Sequence, residues 1–523
     1  MKRRDFLRTT VPATVLPAVL GGYSIKAFAE GSGLSTMFGL GTDTDHVLVL
    51  VQLTGGNDGL NMVIPLDVYS NYYNARTNIA IPQTSVLKLN GNTKTGLHPS
   101  MTGLQTMYNE GKLSIVQAVG YPTPNFSHFR ATDIWMSASD STQFVNSGWQ
   151  GRYLNYEYPN FPNGYPNATM PDPLAIQIGS VTSLTLQGPA VSMGMSISNI
   201  SSFYNLINGV QDPAPNTPAG KELSYIRTVS QQTQQYATVI KNAAAAVTQQ
   251  ATYPTGNSLA DQLKIVARLV KGGLKTRVYM VSYGSFDTHS AQTQTDTTIG
   301  THANLLKNVS DAIKAFQDDL KFLNIEDRVM GMTFSEFGRR IKSNASTGTD
   351  HGAASPLFVF GKNAIGGVVG NSPAIPTTAT VNDNVPFQYD FRSIYASILE
   401  NWFCVGNTEL QSVLLKNFQS LPVINGASCK PAVVNPSGIT LIRNFPNPFD
   451  NQTTIEFTTA GGHTLVQIID MAGRVVATPI DQVYAVATTA RVKFTGGGLA
   501  AGNYYARLQN GSVSQVHAML KVR

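Results

Sequence analysis

The chain has 523 residues, of which 42% are hydrophobic, 9% aromatic and only 13% charged, with a formal net charge of +6. That length exceeds what one hydrophobic core supports, so at least two folding units are expected, and there is enough apolar material for a large core. The small positive excess, with no Lys/Arg run to track phosphates, excludes a nucleic-acid partner.

In chain order, residues 1–29 come first. Arg3-Arg4-Asp5-Phe6-Leu7 opens a basic head, Val11 to Leu20 is apolar, and Ala27-Phe28-Ala29 reads as a cleavage site. The head resembles the RRxFL pattern of twin-arginine export signals, which implies the twin-arginine translocase as a partner. That route carries proteins already folded, often around a metal or cofactor. The apolar stretch holds Pro12 and Pro17 and is about half the ~20 residues that span a bilayer. Removal after Ala29 is therefore expected, with no transmembrane segment in the mature chain. Residues 30–45 read as a Gly/Ser/Thr/Asp-rich leader.

From His46 to Cys429 the grammar is that of a large α/β body. Val47-Leu48-Val49-Leu50-Val51-Gln52-Leu53 is an apolar run without alternation, as expected of a strand buried on both faces of a parallel sheet. The run stops at Thr54-Gly55-Gly56-Asn57-Asp58-Gly59. Similar strands are expected at Arg277–Tyr283, ending in Gly284-Ser285-Phe286-Asp287-Thr288-His289, and at Arg328–Phe334, ending in Ser335-Glu336-Phe337-Gly338. Another, Pro356–Phe360, follows Thr349-Asp350-His351-Gly352. Helices are expected over Pro99–Glu110, Lys221 to Gln250, Ser258–Lys271 and Ala303 to Leu323; in the last, Leu305, Val309, Ile313 and Phe316 fall at helical spacing. Strands alternating with helices predict an α/β fold with a doubly wound, mainly parallel sheet.

The chain has two cysteines, Cys404 and Cys429. An exported destination favours a disulfide between them, the alternative being two buried thiols. Residues 430–438 read as a linker, and residues 439–523 as a small β-sandwich of short strands punctuated by Gly and Asn.

Ligands in α/β sheets bind at the carboxyl ends of the strands. Asp58, Asp287, His289 and Glu336 lie just past such ends, and Asp350 and His351 just before the next strand. Carboxylates with neutral imidazoles form a ligand set for a divalent ion, whether zinc, manganese or calcium. His128, beside Ser127, is placed to act as a general base. Each residue also has a plainer reading. Asp58 could bond its own turn, Asp350 could cap a turn, Glu336 could pair with Arg339 or Arg340, and His98 and His128 could be structural. Arg130 and Arg392 offer guanidinium forks suited to sulfate or phosphate, or to holding carboxylates. No P-loop lysine and no GxGxxG spacing is present, so ATP and NAD have no support.

The tail resembles the type A sorting domain of the type IX secretion system. The resemblance rests on Asn444-Phe445-Pro446-Asn447-Pro448-Phe449, on Ile468-Ile469-Asp470-Met471-Ala472-Gly473-Arg474-Val475-Val476 and on Leu499-Ala500-Ala501-Gly502-Asn503-Tyr504-Tyr505. It implies the type IX machinery as a partner and a secreted or surface-attached destination. The body resembles the exported family catalogued as domain of unknown function 1501, through Leu53 to Asn61, Leu97-His98-Pro99, Ser127-His128-Phe129, Asp133-Ile134-Trp135, Gly148 to Tyr153, Phe286 to His289, Ser335 to Arg339, Gly348 to Gly352 and Asp390 to Tyr395. That family is similar to the alkaline phosphatase and sulfatase superfamily. The similarity implies an alkaline phosphatase-like fold, with Asp58, Asp287, His289 and His351 as metal ligands and Ser127 as the nucleophile or its relic. The spacing of Asp287 and His289 is closer than the superfamily's usual pair, and Glu336 stands where an Asp-His pair is common.

The function these readings imply is an exported, metal-dependent hydrolase of phosphate or sulfate esters. The alternative is a non-catalytic surface or envelope protein that binds a small anionic ester or a glycan on the same scaffold.

Overall fold

Val47–Leu53 forms a strand with every residue buried. Its odd positions, Val47, Val49, Val51 and Leu53, pack into one apolar cluster, and Leu48 and Leu50 pack into another. A strand alternates its side chains between two faces, so a run with apolar residues on both faces needs a covered sheet on both sides.

The computed structural model describes residues 44–198, 236–426 and most of 440–522, with Cys429 and the residue pairs 19–20 and 23–24. Apart from those pairs, the export signal and leader lie outside the described residues, as does the linker at 430–438. The chain divides into a larger unit containing Gly39–Lys430 and a smaller one containing Pro431–Arg523.

The larger unit is built on a nine-stranded sheet. Its strands are β1 (Val47–Leu53), β2 (Leu113–Gly120), β3 (Ala175–Ile178), β4 (Met195–Ile197), β5 (Val278–Tyr283), β6 (Val329–Phe334), β7 (Ser355–Phe360), β8 (Gly367–Val369) and β9 (Tyr389–Asp390). They lie in the order β8-β2-β7-β6-β1-β5-β3-β4, with β9 also paired to β2. Every pairing is parallel except the two made by β7. A parallel return needs a long crossover, usually a helix. Between β6 and β7 the chain instead forms the hairpin Arg339–Ser343 with Thr349–His351, and β7 runs back antiparallel.

Helices cover both faces. Toward the first cluster lie α1 (Thr102–Asn109), α4 (Ser258–Lys271) and α5 (Thr301–Phe322). Toward the second lie α2 (His128–Ser137), α3 (Trp149–Glu157), α6 (Phe391–Asn401) and α7 (Asn407–Leu414). In α5 the side chains of Leu305, Leu306, Val309, Ile313, Phe316 and Leu320 are buried along one stripe, the amphipathic pattern of a helix laid on a sheet. α4 begins on Asn257, whose side chain accepts from the amides of Leu259 and Ala260, a capping arrangement that satisfies otherwise orphaned donors. Residues 236–245 are helical; of the rest of the helix expected over Lys221 to Gln250, residues 246–250 are not helical and 221–235 lie outside the described residues. Cys404 and Cys429 are joined in a disulfide.

The smaller unit pairs Thr440–Phe445, Gln452–Thr459 and Thr488–Thr495 in one antiparallel sheet, and Gly462–Asp470, Val475–Tyr484, Gly502–Asn510 and Val513–Lys521 in a second. Burial alternates along Gln452–Thr459, with Ile455 and Phe457 turned into a core that also holds Val466, Ile468, Phe494 and Leu508.

Candidate metal centre

The carboxyl ends of β1, β2, β5 and β6 open on one rim of the sheet, and the loops that leave them carry the candidate residues. After β5 the amide of Phe286 donates to the carbonyl of Thr54, drawing the loop onto the exit of β1. The approach is close: a Cβ on Gly55 would stand 2.5 Å from the amide nitrogen of Asp287, and Gly55 has φ of +117°. Only glycine tolerates both demands. A second clasp comes from Gln292, whose Oε1 accepts from the hydroxyls of Thr288 and Thr349. The amide of Thr349 also donates to the carbonyl of Thr288, so segments 287–289 and 349–351 lie side by side.

Three imidazoles converge on Asp287. Nε2 of His289 and Nε2 of His351 each stand 3.2 Å from Asp287 Oδ1, and Nε2 of His128 stands 3.6 Å from Oδ2. The same nitrogens of His289 and His351 are 2.9 Å apart. On the far side of each ring Nδ1 has its own acceptor: Glu336 Oε1 for His128 at 2.9 Å, Asp350 Oδ1 for His289 at 3.2 Å, and the carbonyl of Phe126 for His351 at 2.8 Å. Each ring thus has an oxygen on both sides, Asp287 facing its Nε2 and a second acceptor facing its Nδ1, so which nitrogen carries the hydrogen depends on the tautomer. The ligand atoms of His128, Asp287 and His351 all lie within 4.8 Å of one another.

Arg339 braces the centre from below. It is fully buried and donates to Asp287 Oδ1 at 2.7 Å, to the carbonyls of Gly55 and Gly56, and to those of Phe286 and Thr349. Burial pushes the Asp287 carboxyl up, but Arg339, aided by His351 and His289, outweighs it and holds the group below its ordinary value. Burial lowers the His351 pKa; the Phe126 carbonyl opposes that, and Arg339 adds to it. Asp350 is held low chiefly by the hydrogen bond from Asn344.

The other residues singled out in the sequence take different places. Asp58 is buried and does not join the cluster, because Arg76 Nη1 bonds its two oxygens at 2.9 and 2.8 Å and Gln292 Nε2 bonds Oδ2 at 2.7 Å. Burial pushes its carboxyl up and the Arg76 charge pulls it below the ordinary value. Glu336 is buried, accepts from the Gly55 amide, and pairs with His128 rather than with Arg339 or Arg340. Ser127 is the exposed residue before α2, its amide bonded to Asn125 Oδ1. The two nitrogens of His128 face Glu336 and Asp287, so neither is turned to Ser127 as a base. Arg392 pairs with Asp140 and Asp390, and Arg130 bonds backbone carbonyls of Asp140 and Ser141. His98 bonds its own turn, accepting at Nδ1 from the Ser100 amide.

Two contributors escaped the sequence reading. The Phe126 carbonyl is backbone and carries no residue signal. Arg76, partner of Asp58, sits in no motif; the only clue was that a buried aspartate requires a cation.

An α/β sheet with histidines and an aspartate gathered at its carboxyl rim defines the class to which the larger unit belongs. The chain is a member of the family described as protein of unknown function (DUF1501), whose family model matches residues 46–402. Residues 443–521 match the secretion system C-terminal sorting domain, which marks the chain for export and cell-surface attachment through that machinery. Among the described residues no helix is long and apolar enough to cross a membrane. No curated protein matches the sequence. Among solved structures, the chain is similar to the PsFucS1 sulfatase from Pseudoalteromonas sp. at 10% identity, covering 89% of this chain and 86% of that one with a TM-score of 0.32. It is similar to Ps i-CgsB in complex with k-i-k-neocarrahexaose at 10% identity, covering 80% and 84% with a TM-score of 0.32. An alkaline phosphatase from the Antarctic bacterium TAB5 is 11% identical, covering 62% and 93% with a TM-score of 0.24.

Proposed function

We propose that the body is an exported, metal-dependent hydrolase of phosphate or sulfate esters, with a divalent ion held by His128, Asp287, His289 and His351. The observation that carries this reading is the convergence of three imidazole Nε2 atoms on one carboxylate while every Nδ1 has an acceptor of its own. The Nε2 atoms of His289 and His351 stand 2.9 Å apart, and burial together with Arg339 disfavours a proton on His351. The ligand atoms of His128, Asp287 and His351 are mutually within 4.8 Å, and His289 lies beside them, 2.9 Å from His351 and 3.2 Å from Asp287, against about 3.3 Å between the ligand atoms of a tetrahedral ion with bonds of about 2.0 Å. Three nitrogens suit zinc or manganese; calcium prefers an all-oxygen shell.

When bound, such an ion polarises an ester oxygen and lowers the pKa of bound water. This chain's residues do the rest. Asp287 is the one anion among these ligands, with Arg339 bonded to it and the Glu336 and Asp350 carboxylates behind two of the imidazoles. Glu336, Asp350 and the Phe126 carbonyl fix each imidazole's tautomer and aim. Arg339 holds Asp287 in place. Ser127 stands at the exposed start of α2, beside the ligand His128, as the protein nucleophile of this reading. The same reading assigns residues 1–29 to a signal removed after passage through the twin-arginine translocase, 46–429 to the hydrolase body, 430–438 to a linker and 439–523 to the sorting domain.

Zinc or manganese added to the purified chain is expected to raise Tm, by about 2.7 kcal/mol of stability at a hundred times Kd. Asp287→Asn and His351→Ala are expected to remove that rise, and the loaded chain to cleave p-nitrophenyl phosphate or sulfate. A chain with no bound ion and an unmoved Tm sinks the reading. A second reading, binding without cleavage, is favoured by one feature: His128 is turned away from Ser127. Ion binding without turnover of either ester selects it.

A further inference from the structure

Gly148-Trp149-Gln150-Gly151-Arg152-Tyr153, at the start of α3, takes no part in the metal centre. Its two glycines let a neighbouring backbone lie directly on the helix. A Cβ on Gly148 would stand 2.1 Å from the carbonyl oxygen of Leu184, and one on Gly151 would stand 2.1 Å from that of Gln187. Pro189, just beyond that segment, lines a cleft of about 570 Å³ together with Asn155 and Tyr156 of α3, the following Asn160, and Ser412 of α7.

Arg152 lines the same cleft. The residue is only 8% exposed, and its donors go to neutral oxygens alone: the carbonyls of Val413, Ser147 and Ser137 and the hydroxyl of Ser147. A buried charge is ordinarily paired. Arg76, Arg339 and Arg392 are each buried against an aspartate, yet among the described residues no carboxylate meets Arg152. Burial, with no opposing charge, pulls its pKa down to about 10. The cleft supplies no counter-charge either, since no acidic residue lines it, whereas Asn155, Asn160 and Ser412 bring amide and hydroxyl groups at least partly open to solvent.

We propose that the cleft lined by α3 and α7 is a second binding site, which receives a saccharide carrying one anionic group. The unpaired cation selects an anion, because a buried charge without a partner is costly and an incoming opposite charge offsets that cost. The room and the walls select a sugar to carry it. A bare oxyanion fills a small part of the space, whereas Tyr156 and Pro189 supply apolar surface for a ring and the amides supply partners for its hydroxyls, the mixture that lines small-molecule pockets.

The test is calorimetric titration of the full chain with glucuronate, glucose 6-sulfate, glucose and inorganic sulfate. At least one of the two acidic sugars is expected to bind about ten-fold tighter than glucose and than inorganic sulfate, as one hydrogen bond to a charged group would give, and which one does so identifies the anionic group. Asn155→Asp and Ser412→Asp set a carboxylate in the cleft from α3 and from α7, and in each the preference over glucose is expected to vanish. Both side chains reach solvent, so the variants should fold, and an unchanged Tm checks that they do. Glucose binding as tightly as the acidic sugars overturns the proposal, because the cation then reads no charge. Inorganic sulfate binding as tightly as either acidic sugar overturns the saccharide and reduces the cleft to an ion site. A preference that survives in both variants overturns the assignment to this cleft. No affinity for any of the four overturns it as well and leaves Arg152 a clamp on carbonyls. The site shares no residue with the metal centre, so each of these failures leaves the ester reading untouched.

Discussion

Asp58 and Asp287 follow the carboxyl ends of two adjacent parallel strands, β1 and β5, and the protein uses them in opposite ways. The Asp58 side chain is 1% exposed and sealed by Arg76 at 2.8 Å, with Gln292 on the same oxygen. The Asp287 side chain is 44% exposed and faces three imidazoles. A rim position therefore does not by itself make an aspartate a ligand. Both have a guanidinium partner, and what differs is how much of the carboxylate it leaves: Arg76 and Gln292 between them occupy both oxygens of Asp58, whereas Arg339 bonds only Oδ1 of Asp287, whose oxygens also face the three imidazoles.

The strongest challenge to this contrast is Asp58→Ala. Removing one partner of a buried pair is expected to cost about 3–5 kcal/mol, read by guanidinium unfolding, with the same loss in the presence and absence of zinc. A loss that zinc restores would make Asp58 a ligand after all.

Acid should act next, and on the Asp58 side. Burial holds His302 neutral down to about pH 4 and His98 down to about 3, against an ordinary 6.5. Between pH 6.5 and 4 the unfolded chain takes up protons that the folded chain refuses, so stability falls as pH is lowered through that window. For His302 the loss is about 3 kcal/mol by pH 4. Asp58, whose folded value is depressed, adds its own loss only below the ordinary aspartate range. Urea unfolding of the metal-free chain at a series of pH values reads both, and flat stability across the window would show that the histidines are not buried neutral.

The smallest effect belongs to Glu336→Gln. The amide oxygen can still accept from Gly55 and His128, so the fold should hold. Zinc affinity, measured by competition with a chelator, should weaken roughly ten- to a hundred-fold, as for other carboxylates behind a metal-binding imidazole. No change would mean that the Glu336 charge does not tune His128.

Much of the scaffold could be read from pattern. β1 was legible because all seven residues are buried on one face or the other, and α4 because Asn257 caps an unbroken amphipathic stripe. The Gln452–Thr459 strand was legible for the reverse reason, since its alternating burial matches a sheet with one dry face. β2 was not, because Ser114 and Gln117 interrupt its apolar run although both are fully buried. At the site, Asp287, His289, Glu336, Asp350 and His351 could be proposed from their place after or before strands. Their division into inward-facing and supporting groups could not, because it depends on which imidazole nitrogen meets which acceptor. His128 read as a partner for Ser127 because sequence shows adjacency and not the direction a ring faces.

Arg339 ties the exits of β1 and β5 to the hairpin strand at Thr349 with a single buried side chain. Its grip involves none of the inward nitrogens, so the shape of the cluster does not depend on what fills it. If the proposed ion binds, it would therefore meet a backbone already in place, as a late arrival rather than a folding nucleus.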